Sequence, residues 1–326
     1  MFLRLFKNGS GIQLVILLIT MIFLWYPAMS KSYPMPLPEL ITPAYSFFYN
    51  LLSDNPVSYT LIAILLLAAG AILLNVLLSD FGITPKNSWL TAFVYILVMS
   101  CSQNYLTLHP VLIINILIII ALRMVFIANQ KEDSLKEIFA AGLLMALCSL
   151  FVFKSAGLIF AVWLFLIILR IYTWRQWAAN LFGFVSVYLY VFAWYLFTDK
   201  LTVKLQLYRT VLHSIKLVHT ALHLSVYEYI LLALILFLLL NSVVNFLFNV
   251  NEKLINIRRI SLVLLWLLIV SLVSALFYIS NFRFDFAYLL LPISIMASLY
   301  YSSLKKSLFG EIILLLIIVS IFLCRV

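Results

Sequence analysis

The segment from Ile138 to Lys200 limits the possible folds because its apolar runs have almost nothing between them. The run Ile138–Phe153 is separated from the run Leu158–Leu169 by only the four residues 154–157. As one helix, the two runs would measure about 50 Å at about 1.5 Å per residue, whereas a bilayer core is about 30 Å thick. The sequence therefore predicts a turn at 154–157, with backbone freedom supplied by Gly157 and with Lys154 reaching a surface or a polar cavity.

Apolar runs of this kind recur along the whole chain, which is 66% hydrophobic and only 10% charged. Soluble globular domains do not have this composition, so the predicted fold class is an all-α integral membrane protein with a single domain covering residues 1–326. About eleven transmembrane helices are predicted. Their expected ranges are 10–27, 58–79, 88–103, 109–128, 138–153, 156–170, 178–197, 225–249, 261–280, 285–302 and 308–325.

The placement of Lys and Arg predicts an orientation for these spans. With the N-terminus in the cytoplasm, 13 of the 21 cationic side chains fall on the inner side and 8 on the outer side, and four of those eight lie in residues 199–224. The predicted location is the bacterial inner membrane, crossed many times. The net charge of +10 then reflects topology, so membrane lipids are expected partners and nucleic acid is not.

Two predicted outer loops are longer than the others. Loop 28–57 holds four closely spaced prolines, which prevent a continuous helix, and the carboxylates Glu39 and Asp54. Its part from Pro43 to Leu52 is expected to form a short aromatic helix on the membrane. In loop 199–224, polar spacings of 4, 3, 4 and 3 predict an amphipathic helix in the interface. The residues of that polar stripe are Arg209, His213, Lys216, Thr220 and His223.

Polar residues on the predicted outer side allow two interpretations. They gather there because the chain is outside lipid, or they line an outward cavity between the spans. His109 illustrates the choice: beside Pro110 it fits a helix cap, and in a cavity it fits a polar group that meets a substrate. The stripe that begins at Arg209 likewise fits either lipid headgroups or the phosphate of a lipid-linked substrate.

The sequence also lacks the common motifs of catalytic and metal-binding sites. The chain has no phosphate-binding glycine loop, no motif of a soluble enzyme and no metal-ligand spacing, so no metal site is predicted and the cofactor is unknown. The cysteines fall in apolar runs, which indicates neither a disulfide framework nor a metal site. They are Cys101, Cys148 and Cys324. Asn75, Asn241 and Asn245 are expected to hydrogen-bond to neighbouring helices.

A series of short motifs runs through roughly residues 58–300. The motifs are Leu74-Asn-Val-Leu-Leu-Ser-Asp80 through Ser100, Ala140-Ala-Gly-Leu-Leu, Phe153-Lys-Ser-Ala-Gly157, Arg170 with the corner Trp174–Trp177, Phe192-Ala-Trp-Tyr195, and Phe282-Arg-Phe-Asp-Phe-Ala-Tyr288 with Pro292. In this order they resemble the GT-C superfamily of membrane glycosyltransferases, closest to its protein-mannosyltransferase-like and aminoarabinose-transferase-like group. The chain also resembles an uncharacterised family of Bacteroidetes inner-membrane proteins, which implies a family but no activity.

The GT-C resemblance implies a GT-C-like bundle that transfers a sugar from a polyisoprenyl-phosphate donor on the outer face. In that family the first outer loop carries an acidic base, commonly Asp-Glu. This chain has no such pair, and Glu39 is the nearest candidate. The family also often has an acidic residue where the fourth span begins, a position that His109 occupies here.

Glycosyl transfer needs a base for the acceptor and cations for the leaving phosphate. Glu39 is therefore the predicted catalytic residue. The predicted substrate-binding residues are His109, Lys154, Arg209 and Arg283. The alternative function is a non-catalytic membrane subunit or scaffold of a cell-envelope assembly, with other envelope membrane proteins as its partners.

Overall fold

The computed structural model describes residues 6, 12–31, 33–38, 42–131, 133–213, 225–276, 287–304 and 308–325. Within these ranges the regular structure is helical. The α-helices are α1 Ile12–Ser30, α2 Pro43–Leu52, α3 Pro56–Asp80, α4 Leu90–Met99, α5 Pro110–Ala128, α6 Leu135–Phe151, α7 Leu158–Ile168, α8 Trp174–Phe197, α9 Leu201–His213, α10 Val226–Asn249, α11 Ile255–Leu276, α12 Ala287–Ser303 and α13 Leu308–Leu323.

Six of the described helices are long and apolar enough to cross a membrane: α1, α3, α5, α8, α10 and α11. The helices α4, α12 and α13 are apolar but shorter, as is α7 together with the turn before it. The all-helical prediction is confirmed, and the structure supports a membrane protein with six candidate spans. The short aromatic helix predicted from Pro43 to Leu52 is also present, as α2.

The centre of the bundle is built from two of the shorter helices, α4 and α12. All ten residues of α4 are buried, and α12 is buried from Ala287 to Tyr301. The two helices pack on each other, and α12 also contacts α10 and α11. A helix that is apolar on every side is expected in such a position, because it has no polar face to turn outward.

Helices α6 and α8 approach each other most closely where each carries a glycine. A Cβ atom on Gly142 would lie 2.1 Å from the backbone oxygen of Asn180, and one on Gly183 would lie 2.2 Å from that of Phe139. The buried Asn180 side chain donates to the Ile138 oxygen at 3.2 Å and accepts from Trp163 Nε1 at 3.1 Å. Small residues and an interhelical hydrogen bond thus join these helices, as is common in membranes.

The turn predicted at 154–157 is present as a 3₁₀ segment, Phe153–Gly157, between α6 and α7. The role predicted for Gly157 is wrong. Its backbone has the ordinary helical φ of −62°, and a Cβ atom there would meet nothing within 4 Å. The turn is held instead by hydrogen bonds from the amide and hydroxyl of Ser155 to the oxygen of Val152, at 3.0 and 2.8 Å.

Candidate functional site

A sharp reversal after α8 positions the candidate site. Asp199 has a φ of +51°, a left-handed conformation that is uncommon outside glycine. The amide of Lys200 donates to the oxygen of Tyr195 at 3.1 Å, and that of Asp199 donates to Leu196 at 3.2 Å. This bond pattern ends many helices. Here it sends α9 back over the end of the bundle where α6 and α8 finish.

Two aromatic contacts fix α9 on that end of the bundle. The ring of Tyr208 lies 5.6 Å from that of Phe153, in the turn after α6. The ammonium of Lys204 lies 5.9 Å from the ring centre of Tyr195. Lys154 follows Phe153 and Arg209 follows Tyr208, so two of the predicted substrate-binding residues belong to segments that touch each other.

Three phenols converge beside these cations. The hydroxyl of Tyr188 lies 2.6 Å from that of Ser149 on α6. Burial raises the pKa of Tyr208, and the neighbouring phenols of Tyr195 and Tyr188 raise it further. The Tyr208 hydroxyl therefore stays protonated at physiological pH. We call Lys154, Tyr188, Tyr195, Lys204, Tyr208 and Arg209 the tyrosine–cation cluster.

The chemistry of the cluster suits an anion. Lysine and arginine donate charge-assisted hydrogen bonds to phosphate oxygens, and protonated phenols add neutral donors. The neighbouring surface of α8 is strongly apolar, with Trp194 67% exposed and Leu189 62% exposed. A group of cations beside such a surface fits an amphiphile with an anionic head and a hydrocarbon chain.

His109 has a separate position, at the start of α5. Its Nδ1 accepts from the amide of Val111 at 3.1 Å, which is the capping role that Pro110 next to it suggests. Its ring contacts Tyr105 edge to face. Burial lowers the pKa of His109 to about 3. The imidazole is therefore neutral at physiological pH and brings no positive charge to a phosphate.

Two of the predicted site residues, Glu39 and Arg283, lie outside the described residues. So do Lys216, Thr220 and His223 of the polar stripe, and of His213 only the backbone is described.

Hydrogen bonds from three side chains hold the backbone just before Glu39 in place. The oxygen of Tyr33 accepts hydrogen bonds from Tyr59 and Thr107 at 3.0 Å each, and that of Pro36 accepts from Tyr45 at 2.7 Å.

The interhelical role predicted for asparagines is confirmed at Asn245 and wrong at Asn241. Asn245 donates to Ser303 of α12 at 2.5 Å. Asn241 donates within its own helix, to the oxygen of Phe237 at 2.8 Å. Sequence reasoning missed Asn180, which does bond between helices. The available signal was a polar asparagine within an otherwise apolar run of sequence.

A small cavity lies between α4, α10, α12 and α13. Its volume is about 10 Å³, and apolar side chains with Cys101 and Tyr301 form most of its lining. This is room for about one water and not for a sugar or a lipid headgroup. The tyrosine–cation cluster is consequently the stronger candidate for binding.

Together, the six candidate spans and the cationic end of the bundle define a helical membrane protein. Residues 40–326 match a model described as Family of unknown function (DUF6427), and the chain belongs to that family. Comparisons with curated proteins and with solved structures gave no match.

Proposed function

We propose that this protein is a GT-C-like membrane glycosyltransferase that binds the phosphate of a polyisoprenyl-linked sugar at the tyrosine–cation cluster. The observation that carries the proposal is the contact between Phe153 and Tyr208, because it brings Lys154 and Arg209 to one end of the bundle. Lys204 and the protonated Tyr208 add donors there. The isoprenoid chain lies along the exposed apolar side of α8.

The proposal includes eleven crossings, with α4, α6, α7, α12 and α13 completing the six long helices. Contacts between helix ends support this arrangement. Asp80 and Arg123 pair at 3.1 Å near the C-terminal ends of α3 and α5, and Ser303 bonds to Asn245 near those of α12 and α10. In a bundle whose crossings alternate in direction, helices two crossings apart have their C-terminal ends on the same side, as these contacts require. The tyrosine–cation cluster then faces the outer side.

In this proposal Glu39 acts as the general base that takes a proton from the sugar acceptor. Lys154 and Arg209 stabilise the phosphate that leaves. Arg283 remains a proposed further contact to that phosphate. His109 is proposed to meet the substrate as a neutral group, since its Nδ1 is used in capping α5.

The alternative is a non-catalytic membrane subunit of an envelope assembly. One specific observation favours it. In each of α8 and α10, only 22% of the most apolar 18-residue stretch is buried against the rest of the protein. Helices with so much free surface have room for partner helices as well as lipid.

Binding is tested with the purified full-length protein in lipid nanodiscs. The probes are a polyprenyl phosphate, the matching uncharged polyprenol, an anionic phospholipid and inorganic phosphate. We expect selective binding of the polyprenyl phosphate, weakened about fivefold by Lys154→Met and by Arg209→Met, as loss of one cation costs roughly 1 kcal/mol. Lys31→Met is the matched control, because Lys31 is exposed and lies outside the cluster.

Equal binding of the uncharged polyprenol, or no effect of either cluster variant, would contradict the binding site. Catalysis is tested in a deletion strain by complementation. We expect Glu39→Gln to abolish function while its expression and polyprenyl phosphate binding remain normal. If Glu39→Gln and Lys154→Met both complement fully, the catalytic proposal fails and the subunit alternative replaces it.

A further inference from the structure

The end of the chain is bound to the segment that follows α4. The guanidinium of Arg325 donates to the oxygen of Ser100 at 2.8 Å, and Gln103 Nε2 donates to the oxygen of Cys324 at 3.1 Å. Ser100 and Gln103 flank Cys101 in the chain, and Arg325 follows Cys324. The two hydrogen bonds therefore align the backbone segments that carry these two cysteines.

Further contacts hold this arrangement in place. Arg325 also donates to the oxygen of Leu24 at 2.7 Å, and Trp25 Nε1 donates to the hydroxyl of Ser100 at 3.0 Å. The Arg325 guanidinium lies 5.6 Å from the ring centre of Phe322. The end of α13, the end of α4 and the last part of α1 thus form one contact region, which we call the C-terminal clasp.

Cys101 and Cys324 lie in the two segments that these hydrogen bonds hold together. Cys101 is 5% exposed, whereas Cys324 is half-buried. A reagent from solvent therefore reaches Cys324 first, and Cys101 is the nearby thiol that can react next.

We propose that Cys101 and Cys324 form a disulfide that locks the C-terminal clasp. The thiolate of Cys324 attacks a disulfide oxidant, such as glutathione disulfide, and one reduced thiol leaves. The thiolate of Cys101 then attacks the mixed disulfide at Cys324, and a second reduced thiol leaves. Two protein thiols are oxidised to one disulfide, and one oxidant disulfide is reduced to two thiols.

The disulfide joins positions 101 and 324 and so ties α13 to the buried centre of the bundle. A cross-link over so long a stretch of chain restricts the unfolded state strongly. The proposed disulfide does not depend on the substrate proposed for the tyrosine–cation cluster. In the proposed topology the clasp lies on the outer side, where a disulfide persists.

The test uses the full-length protein in detergent, equilibrated with glutathione disulfide, quenched with N-ethylmaleimide and digested without reduction. Mass spectrometry is expected to find a peptide that joins Cys101 to Cys324, while Cys148 stays a thiol. The Tm of this oxidised protein is expected to exceed that of the reduced protein by roughly 4 °C or more.

Two variants test whether Cys101 and Cys324 are the two cysteines that pair. Cys148→Ser is expected to leave the cross-linked peptide unchanged, because Cys148 is buried within α6. Cys101→Ser removes the cross-link and leaves Cys324 free to react with N-ethylmaleimide or glutathione. If both clasp cysteines of the equilibrated wild-type protein are recovered unlinked, the proposal is overturned, and the same holds if either cysteine pairs with Cys148.

Discussion

Three glycines that each lie between apolar residues have different structural roles in this protein. Gly142 and Gly183 lie where α6 crosses α8, and a Cβ atom on either would overlap a backbone oxygen of the other helix. Backbone atoms cannot move aside as a flexible side chain can. Gly157 has open space and an ordinary φ.

Alanine at these three glycines gives a direct comparison. We expect Gly142→Ala and Gly183→Ala to lower stability by more than about 1 kcal/mol each, because the helices must separate. Gly157→Ala is the matched control and is expected to be neutral or to stabilise by about 0.4–1 kcal/mol through the unfolded chain. Thermal unfolding followed by tryptophan fluorescence measures the difference. Equal effects at all three positions would contradict the close approach of α6 and α8.

His109 predicts a pH dependence of stability. Its folded pKa of about 3 lies below the unfolded value of about 6.5, so the unfolded chain takes up the proton more readily. The contribution of His109 is therefore complete above about pH 6.5 and is lost as the pH falls toward 3, with a slope of up to about 1.4 kcal/mol per pH unit.

His109→Asn tests this slope, because asparagine keeps an oxygen to cap α5 but does not titrate. Unfolding free energies between pH 4 and 8 are expected to fall less steeply for the variant than for the wild type. Identical pH profiles would show that His109 is not the group responsible.

At the scale of elements, α9 has a different role from the helices beside it. It is amphipathic in sequence, and it touches the bundle through Lys204 and Tyr208, which are one helical turn apart. Leu205 and Arg209, one position later on each turn, are exposed. One face of α9 is therefore protein-facing and the other is free to meet the membrane interface.

Spin labels scanned along residues 203–213 test this division. We expect accessibility to vary with a period near 3.6 residues, with minima at positions 204 and 208. Labels at 205 and 209 are expected to report the interface between lipid and water. A flat profile would exclude an ordered interfacial helix and, with it, the position of Arg209 in the tyrosine–cation cluster.

At the scale of the whole molecule, the number of membrane crossings determines on which side each end of the chain lies. Eleven crossings with the N-terminus inside require the C-terminus outside, since the number is odd. Compartment-specific reporters fused to each end are expected to show opposite sides. A cytoplasmic C-terminus would mean that one crossing is miscounted, most simply at the turn that contains Lys154.

A second pair of fusions locates such an error. A reporter placed in the turn at 154–157 is expected to be outside, and one placed after Arg170 is expected to be inside. If both report the same side, α7 does not cross. If that shared side is the cytoplasm, Lys154 is separated from the outer face and from the proposed substrate.

The sequence alone determined the class of protein, the existence and approximate limits of its apolar helices, the helix from Pro43 to Leu52 and the turn at 154–157. These features depend on local properties. Hydropathy, helix length and proline content act over a few turns of chain, so a single segment holds the required information. The cap at His109 is equally local, because it needs only the following proline and amide.

The tertiary structure decided which residues meet. Phe153 and Tyr208 are in contact although they are far apart in the chain, and this contact, not any motif, assembles the tyrosine–cation cluster. The necessity of Gly142 and the hydrogen bonds between the segments that carry Cys101 and Cys324 likewise depend on which helices pack together. Nearly every apolar helix face in this chain can pack against nearly any other, so hydropathy does not encode their pairing. Close backbone approach and a few buried hydrogen bonds select it.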